Sequence, residues 1–265
     1  MEWFLAYVAT GAAVGFVSGM LGIGGGMVMV PALAALFAGQ SLWPAHGLHL
    51  ALGTSMATVL FTGASSVRTH HRLGGVDWSI VKRLGPGMAL GALVASGISG
   101  WLPQRALALT FALIVYGAAA QILMSRQPES AARGLPGSLG LWLVGLFIGV
   151  IAGLVSAGGA CLSMPFLLWC GVPIRTAIGT GAALGLPVAA LGIAGYVGSG
   201  WSVGGAPWGA LGFVYAPALA AIVVASMPMA QWGARVAHRL PVQTLRRLFA
   251  LLLFGVATRM AWSYW

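Results

Sequence analysis

The chain is a succession of apolar stretches parted by short polar turns. The stretches run over 3–21, 25–38, 46–67, 78–100, 104–124, 139–156, 159–170, 174–198, 207–234 and 242–263. An apolar helix of about 20 residues crosses a bilayer, so the long stretches predict membrane-crossing helices. The stretches 25–38 and 159–170 are too short to cross unaided, and each follows a run of glycines. One polar stretch, Ser125 to Gly140 (SRQPESAARGLPGSLG), interrupts the pattern near the middle.

The pattern occurs twice. Gly11 to Leu33 reads GAAVGFVSGMLGIGGGMVMVPAL, and Gly145 to Leu167 reads GLFIGVIAGLVSAGGACLSMPFL. Without a gap, Gly11, Gly15, Gly19, Gly24, Gly25, Pro31 and Leu33 fall on Gly145, Gly149, Gly153, Gly158, Gly159, Pro165 and Leu167. Further on, Leu52-Gly53-Thr54 answers Ile178-Gly179-Thr180. Gly74-Gly75-Val76-Asp77-Trp78 answers Gly204-Gly205-Ala206-Pro207-Trp208, and Pro103 with Leu107 and Phe111 answers Pro241 with Leu245 and Phe249. The expected organisation is a first repeat over 1–124, a linker over 125–138 and a second repeat over 139–265.

Composition settles the class. Hydrophobic residues make up 59% of the 265 and charged residues 6%, with a mean hydropathy of +0.94. A soluble domain carries roughly 25% charged residues. The chain therefore reads as an all-α polytopic integral membrane protein, with no soluble domain between its apolar stretches. MEWFLAYVAT has no basic leader and runs into the first repeat, so it reads as a membrane helix and not a cleaved signal. Cys161 and Cys170 both lie in an apolar stretch and suggest neither a disulfide framework nor a zinc site.

The net charge of +10 comes from basic residues in short loops, with no continuous basic face for nucleic acid. It reads as the cytoplasmic bias of Lys and Arg beside a lipid bilayer. The loop at 68–83 carries Arg68, Arg72, Lys82 and Arg83, whereas its counterpart near 198–208 carries no basic residue. The loop at 101–105 carries only Arg105, and its counterpart near 235–247 carries Arg235, Arg239, Arg246 and Arg247. Equivalent loops of opposite bias lie on opposite faces, so the two repeats are expected to be inverted. Each repeat is then a glycine-broken helix followed by three transmembrane helices. The linker, with Arg126 and Arg133, and the Arg175 turn fall inside the cell, and the C-terminus falls in the periplasm. The pair 139–170 must begin and end on one face, either as a re-entrant hairpin or as a full helix returning through a short one.

A duplicated helix interrupted within the membrane points to a transported-substrate site. The breaks lie at Gly22-Ile23-Gly24-Gly25-Gly26 and Ser156-Ala157-Gly158-Gly159-Ala160. Each opens a short helix whose first N–H groups lack partners and whose dipole presents its positive end, which suits an anion. The expected substrate-binding residues are Gly22, Gly24, Gly25, Gly26, Thr54, Ser55, Ser156, Gly158, Gly159 and Thr180. His49 and Arg175, each five residues before the paired threonines, are candidates for drawing anions in. Gly11, Gly15 and Gly19, like Gly145, Gly149 and Gly153, show the four-residue spacing of close helix packing. Glu2, Asp77 and Glu129, the three acidic residues, lie at ends or in loops, leaving no carboxylate in a membrane segment for a proton or sodium site. Tryptophans near segment ends, including Trp43, Trp78, Trp101, Trp201, Trp208 and Trp262, read as an interfacial belt.

Two other classes compete with a transporter. A passive anion channel shares the same composition. An intramembrane hydrolase would need Ser156 as nucleophile and His238 as base, but His238 lies in a basic cytoplasmic loop and the repeat would have no explanation. No enzyme activity, cofactor or metal is expected.

With these residues in view, the chain resembles the TauE/SafE family of bacterial sulfite and organosulfonate exporters. The resemblance rests on GFVSGMLGIGGGMVMVPAL and LALGTSMATV in the first half. In the second it rests on GVIAGLVSAGGACLSMPFL, AIGTGAALG and RLPVQTLRRLFALLLFGVA. It implies a multi-pass protein of the bacterial inner membrane that exports a small sulfur-containing anion without a bound cofactor. Ser156 and Ala160 stand where the first run has glycines.

Topology is directly testable. In a version lacking Cys161 and Cys170, Ser202→Cys should react with an impermeant thiol reagent in intact cells and Ser130→Cys should not. Labelling at 130 but not at 202 would overturn the inverted arrangement.

Overall fold

The computed structural model describes residues 2–21, 25–124, 134–237 and 242–264. Among them are α1 (Glu2–Leu21), α2 (Gly26–Gly39), α3 (Gly47–Arg72), α4 (Trp78–Ser99) and α5 (Gln104–Met124). After the linker come α6 (Ser138–Leu154), α7 (Ala160–Trp169), α8 (Ile174–Trp201), α9 (Ala216–Ala237) and α10 (Val242–Ser263). A two-residue hairpin, β1 (Ala210–Leu211) on β2 (Val214–Tyr215), precedes α9. Among the described residues, five stretches, Glu2–Met20, Gly47–Arg72, Gln104–Leu123, Arg175–Trp201 and Ala216–Gly233, are long and apolar enough to cross a membrane. Gly22, Gly24, most of the linker, His238 and Trp265 lie outside the described residues.

Glycines let helix backbones touch, and that decides the packing. A side-chain carbon added at Gly11 would stand 2.7 Å from the Ile222 carbonyl oxygen, and one at Gly15 2.6 Å from Ser226 Cα. One at Gly19 would run into the Ala230 carbonyl. Gly145, Gly149 and Gly153 meet the backbones of Leu84, Met88 and Ala92 in the same way. Residue numbers rise together along both contacts, so α1 runs parallel to α9 and α6 parallel to α4. Gly85 meets Leu184 and Pro187 while Gly195 meets Leu93 and Ser96, so α4 and α8 also run parallel. Gly53 meets Tyr196, Gly192 meets Met56 and Gly63 meets Leu186, which makes α3 antiparallel to α8.

These directions fix the short helices. Since α6 and α8 both run with α4, α7 must return between them. Over 139–170 the chain forms the 17-residue α6 followed by the 10-residue α7 running the other way. α2 likewise turns back along α1. Its last glycine, Gly39, lies 3.3 Å from the Trp3 ring measured from an added side-chain carbon, and Gln40 Nε2 donates to Tyr7 Oη at 2.6 Å.

Two expectations need correction. The apolar stretch at 207–234 is not helical from its start, because Gly209 and Gly212 take positive φ (81 and 55) and turn the chain into the hairpin before α9 begins at Ala216. Trp43 does not join an interfacial belt. It is buried, with its ring 5.5 Å from Phe213 and 5.0 Å from His46. Trp101, Trp201, Trp208 and Trp262 are exposed, as a belt requires.

Gly149→Leu should lower the folded yield sharply, since overpacking against backbone costs about 1–3 kcal/mol or more. Gly117→Ala, with nothing within 4 Å of its new carbon, should be neutral or stabilise by roughly 0.5–1 kcal/mol. Size-exclusion yield and melting temperature in detergent read both, and equal behaviour of the two variants would contradict the packing account.

Candidate functional site

The first break ends at Gly25, whose φ of 72 is left-handed and favours glycine. Its carbonyl accepts from Val28 N at 3.1 Å and Met29 N at 3.0 Å and so starts α2. A side chain there would also strike Ser18 Cβ at 2.8 Å. Gly26 lies against the Ser156 carbonyl, and Ser55 Oγ donates to Gly26 O at 3.1 Å. Beside Gly25 and Gly26, between α1, α2, α3 and α9, is a narrow cleft with enclosed room for about one water. Ser55 contributes to its wall, as do Ser18, Thr58, Thr62 and Ser226.

The second break is built differently. α6 closes with Ser156 N donating to Gly153 O at 3.4 Å and Ala157 N to Ala152 O at 3.0 Å. These two bonds, with Ser156 at a φ of 48, form a Schellman motif. A left-handed serine is strained relative to glycine. Its hydroxyl is held by a buried bond to Leu52 O at 2.7 Å, which ties the second break to α3 of the first half. The two breaks therefore touch, Gly26 on Ser156. Gly158 and Gly159 are buried beyond that contact, where Gly159 faces Met88 and Leu184 and Gly158 faces Gly185.

Thr54 and Thr180 are fully buried and engaged in matching bonds. Thr54 Oγ1 accepts from Tyr215 N at 2.9 Å, and Thr180 Oγ1 accepts from Asp77 N at 2.9 Å. Tyr215 directly precedes α9 and Asp77 directly precedes α4, so each threonine holds the lead-in of a helix from the other half. The neighbouring glycines admit those segments, since Gly53 lies against the Phe213 carbonyl and Gly179 against the Gly75 carbonyl. Asp77 also caps α4, accepting from Ser79 N at 2.9 Å and Ile80 N at 3.3 Å. Asp77 is thus matched by Tyr215, not by the Pro207 of the sequence alignment, because the hairpin lengthens the second loop.

His49 is buried at 2% exposure. Its Nε2 lies 3.0 Å from Ser99 O and 3.1 Å from Leu102 O, an arrangement in which Nε2–H donates to the end of α4. Its ring stacks on Phe213 at 5.0 Å, and its Nδ1 has no hydrogen-bond partner. Arg175 is exposed at the start of α8, close to the Gly75 turn. The structure brings neither side chain to the opening beside Gly25. Thr58 and Thr62 went unnoticed in the sequence, yet Ser55, Thr58 and Thr62 at i, i+3 and i+7 form a hydroxyl stripe on one helix face.

The family model for the sulfite exporter TauE/SafE matches residues 7–260. A probable membrane transporter protein of Haemophilus influenzae is 34% identical over 259 residues, covering 97% of this chain and 98% of its own. The probable membrane transporter protein YdhB of Bacillus subtilis is 25% identical over 239 residues, covering 88% and 89%. One from Xylella fastidiosa is 26% identical over 286 residues, covering 100% and 97%. No solved structure matches the chain.

Thr54→Val and Thr180→Val each leave a backbone N–H without its acceptor, a loss of about 1 kcal/mol or more. Each should lower the melting temperature of the purified protein. An unchanged melting temperature in both would contradict the role assigned to these hydroxyls.

Proposed function

The chain belongs to the sulfite exporter TauE/SafE family and is a membrane transporter, and we propose that it exports a small sulfur oxyanion, sulfite or a related organosulfonate. The observation that carries this reading is the start of α2 at Gly25 and Gly26, facing a hydroxyl-lined opening within the helix bundle. The substrate-binding residues proposed are Gly25 and Gly26 at the first break with Ser55 beside them, and the second break, at Ser156, Gly158 and Gly159, packs against the first through Ser156. Thr54 and Thr180 serve by holding the helix lead-ins that flank them.

The reading includes two inverted repeats, 1–124 and 139–265, joined by the linker 125–138. The pairing of α1 with α9 and of α6 with α4 supports it, because each is the other with the halves exchanged. The reciprocal bonds of Thr54 and Thr180 support it in the same way. With the basic loops inside, the linker is cytoplasmic and the C-terminus periplasmic in the inner membrane.

Energetics favour an electrogenic step. One elementary charge crossing the potential is worth about 2.3 kcal/mol per 100 mV, and a negative interior drives an anion outward. A divalent anion gains about twice that, enough for a concentration ratio above roughly a thousandfold per 100 mV. Export then needs no carboxylate to couple it to protons, in keeping with the placement of Glu2, Asp77 and Glu129 outside the apolar stretches.

Proteoliposomes loaded with sulfite, with the potential set by a potassium gradient and valinomycin, test the proposal. Efflux should accelerate when the interior is negative. It should persist in His49→Gln, which keeps an N–H donor for Ser99 and Leu102. Efflux that ignores the potential and follows an imposed pH gradient would replace this mechanism with proton coupling.

A further inference from the structure

The opening beside Gly25 and Gly26 carries five hydroxyls, those of Ser18, Ser55, Thr58, Thr62 and Ser226, and no charged side chain. Thr58 Oγ1 donates to Thr54 O at 3.0 Å, Thr62 Oγ1 to Thr58 O at 3.0 Å, and Ser226 Oγ to Val223 O at 3.4 Å. These are bonds back to carbonyls of the same helix, which the helical N–H groups already serve. Turning such a hydroxyl toward a ligand therefore costs little. These three rotatable O–H groups, with Ser18, Ser55 and the first turn of α2, make an anion cradle of neutral dipoles.

The corresponding place at the second break has different chemistry at every hydroxyl position. The register that sets Gly15 on Gly149 sets Ser18 on Ala152 and Gly25 on Gly159. The register that sets Thr54 on Thr180 sets Ser55 on Gly181, Thr58 on Leu184 and Thr62 on Val188. Gly15 faces Ser226 where Gly149 faces Met88, so Met88 stands in for Ser226. All five hydroxyls are thus replaced by apolar side chains or glycine. Ala152, Leu184, Val188 and Met88 are fully buried, and a side-chain carbon at Gly159 would meet Met88 Cε at 2.8 Å. A carbon at Gly181 would meet Ala160 Cα at 3.1 Å, so α7 sits directly on α8. Among the described residues a polar group remains there. Ser163 Oγ is buried without a hydrogen-bond partner, 3.2 Å from that same added carbon.

We propose that the two breaks divide the work. The first break alone grips the oxyanion, through Ser18, Ser55, Thr58 and Thr62 of the first half and Ser226 of the second, while Met88 and Leu184 make the second break a packed, non-binding counterpart. This rests on the exporter reading above and narrows the ligand class to a small anion with a single oxyanion head. Sulfite and a monosulfonate present one charged head to these hydroxyls, whereas a disulfonate, charged at both ends, would set its second charge in apolar surroundings.

Sulfite efflux from proteoliposomes, with melting temperature alongside, tests the division. Thr58→Val, Thr62→Val and Ser226→Ala remove hydroxyls that tie no helix to another, so a purely structural role predicts no change in either readout. The proposal expects each to raise KM by about tenfold, the loss of a hydrogen bond to a charged group, at an unchanged melting temperature. Ser163→Ala should leave KM within about twofold, and ethane-1,2-disulfonate should fail to compete with sulfite. A KM raised by Ser163→Ala as much as by Thr58→Val would overturn the one-sided grip. So would normal KM values in all three of these variants at the first break while the parent chain still exports sulfite. A parent chain that moves neither sulfite nor monosulfonate would sink the exporter reading and this inference together.

Discussion

Backbone-to-backbone contact at glycine is the constraint on which the rest of this molecule depends. Lipid offers helices no hydrophobic drive toward one another, so association comes from close packing. Gly11, Gly15 and Gly19 on α9, and Gly145, Gly149 and Gly153 on α4, provide that packing along two parallel helix pairs. Each pair joins a helix of one half to a helix of the other. The halves are thereby interleaved, and neither can complete its packing alone.

The same interleaving builds the middle of the molecule. Thr54 holds the lead-in to α9, Thr180 holds the lead-in to α4, and Ser156 bonds Leu52 across the halves. Because Ser55, next to Thr54, bonds Gly26, while Gly181, next to Thr180, lies against Ala160, movement of one half against the other would act on the breaks directly. A helix that stops inside the bundle leaves backbone donors to be satisfied. At the first break the neighbouring surface is hydroxyl-rich, and at the second it is filled by Met88 and Leu184. The repeated backbone thus carries two different surfaces.

Much of the helix pattern was legible in the sequence, because length and glycine placement alone decide where an apolar helix ends in lipid. The stretch 25–38 is the helix Gly26–Gly39, and 159–170 holds Ala160–Trp169. The four-residue glycine spacing foretold close packing, although not its partners. The start of α9 was not legible, since Gly209 and Gly212 turn a chain that stays apolar on both sides. Nor were the bonds of Thr54 and Thr180, whose partners are backbone N–H groups of the opposite half and leave no mark on side-chain identity. Ser156 replaces a glycine at a left-handed position for a reason that lies far along the chain, at Leu52. The hydroxyl stripe of Ser55, Thr58 and Thr62 was visible as spacing, but only Ser226 and Ser18, brought in by α9 and α1, turn it into a cavity wall.

An electron cryomicroscopy map of the chain in a lipid nanodisc with saturating sulfite tests the central claim most directly. Interleaved halves with unlike breaks require anion density beside Gly26, Ser55 and Thr58, and continuous side-chain density for Met88 against Gly159. Anion density beside Gly159, with Met88 displaced, would contradict the account.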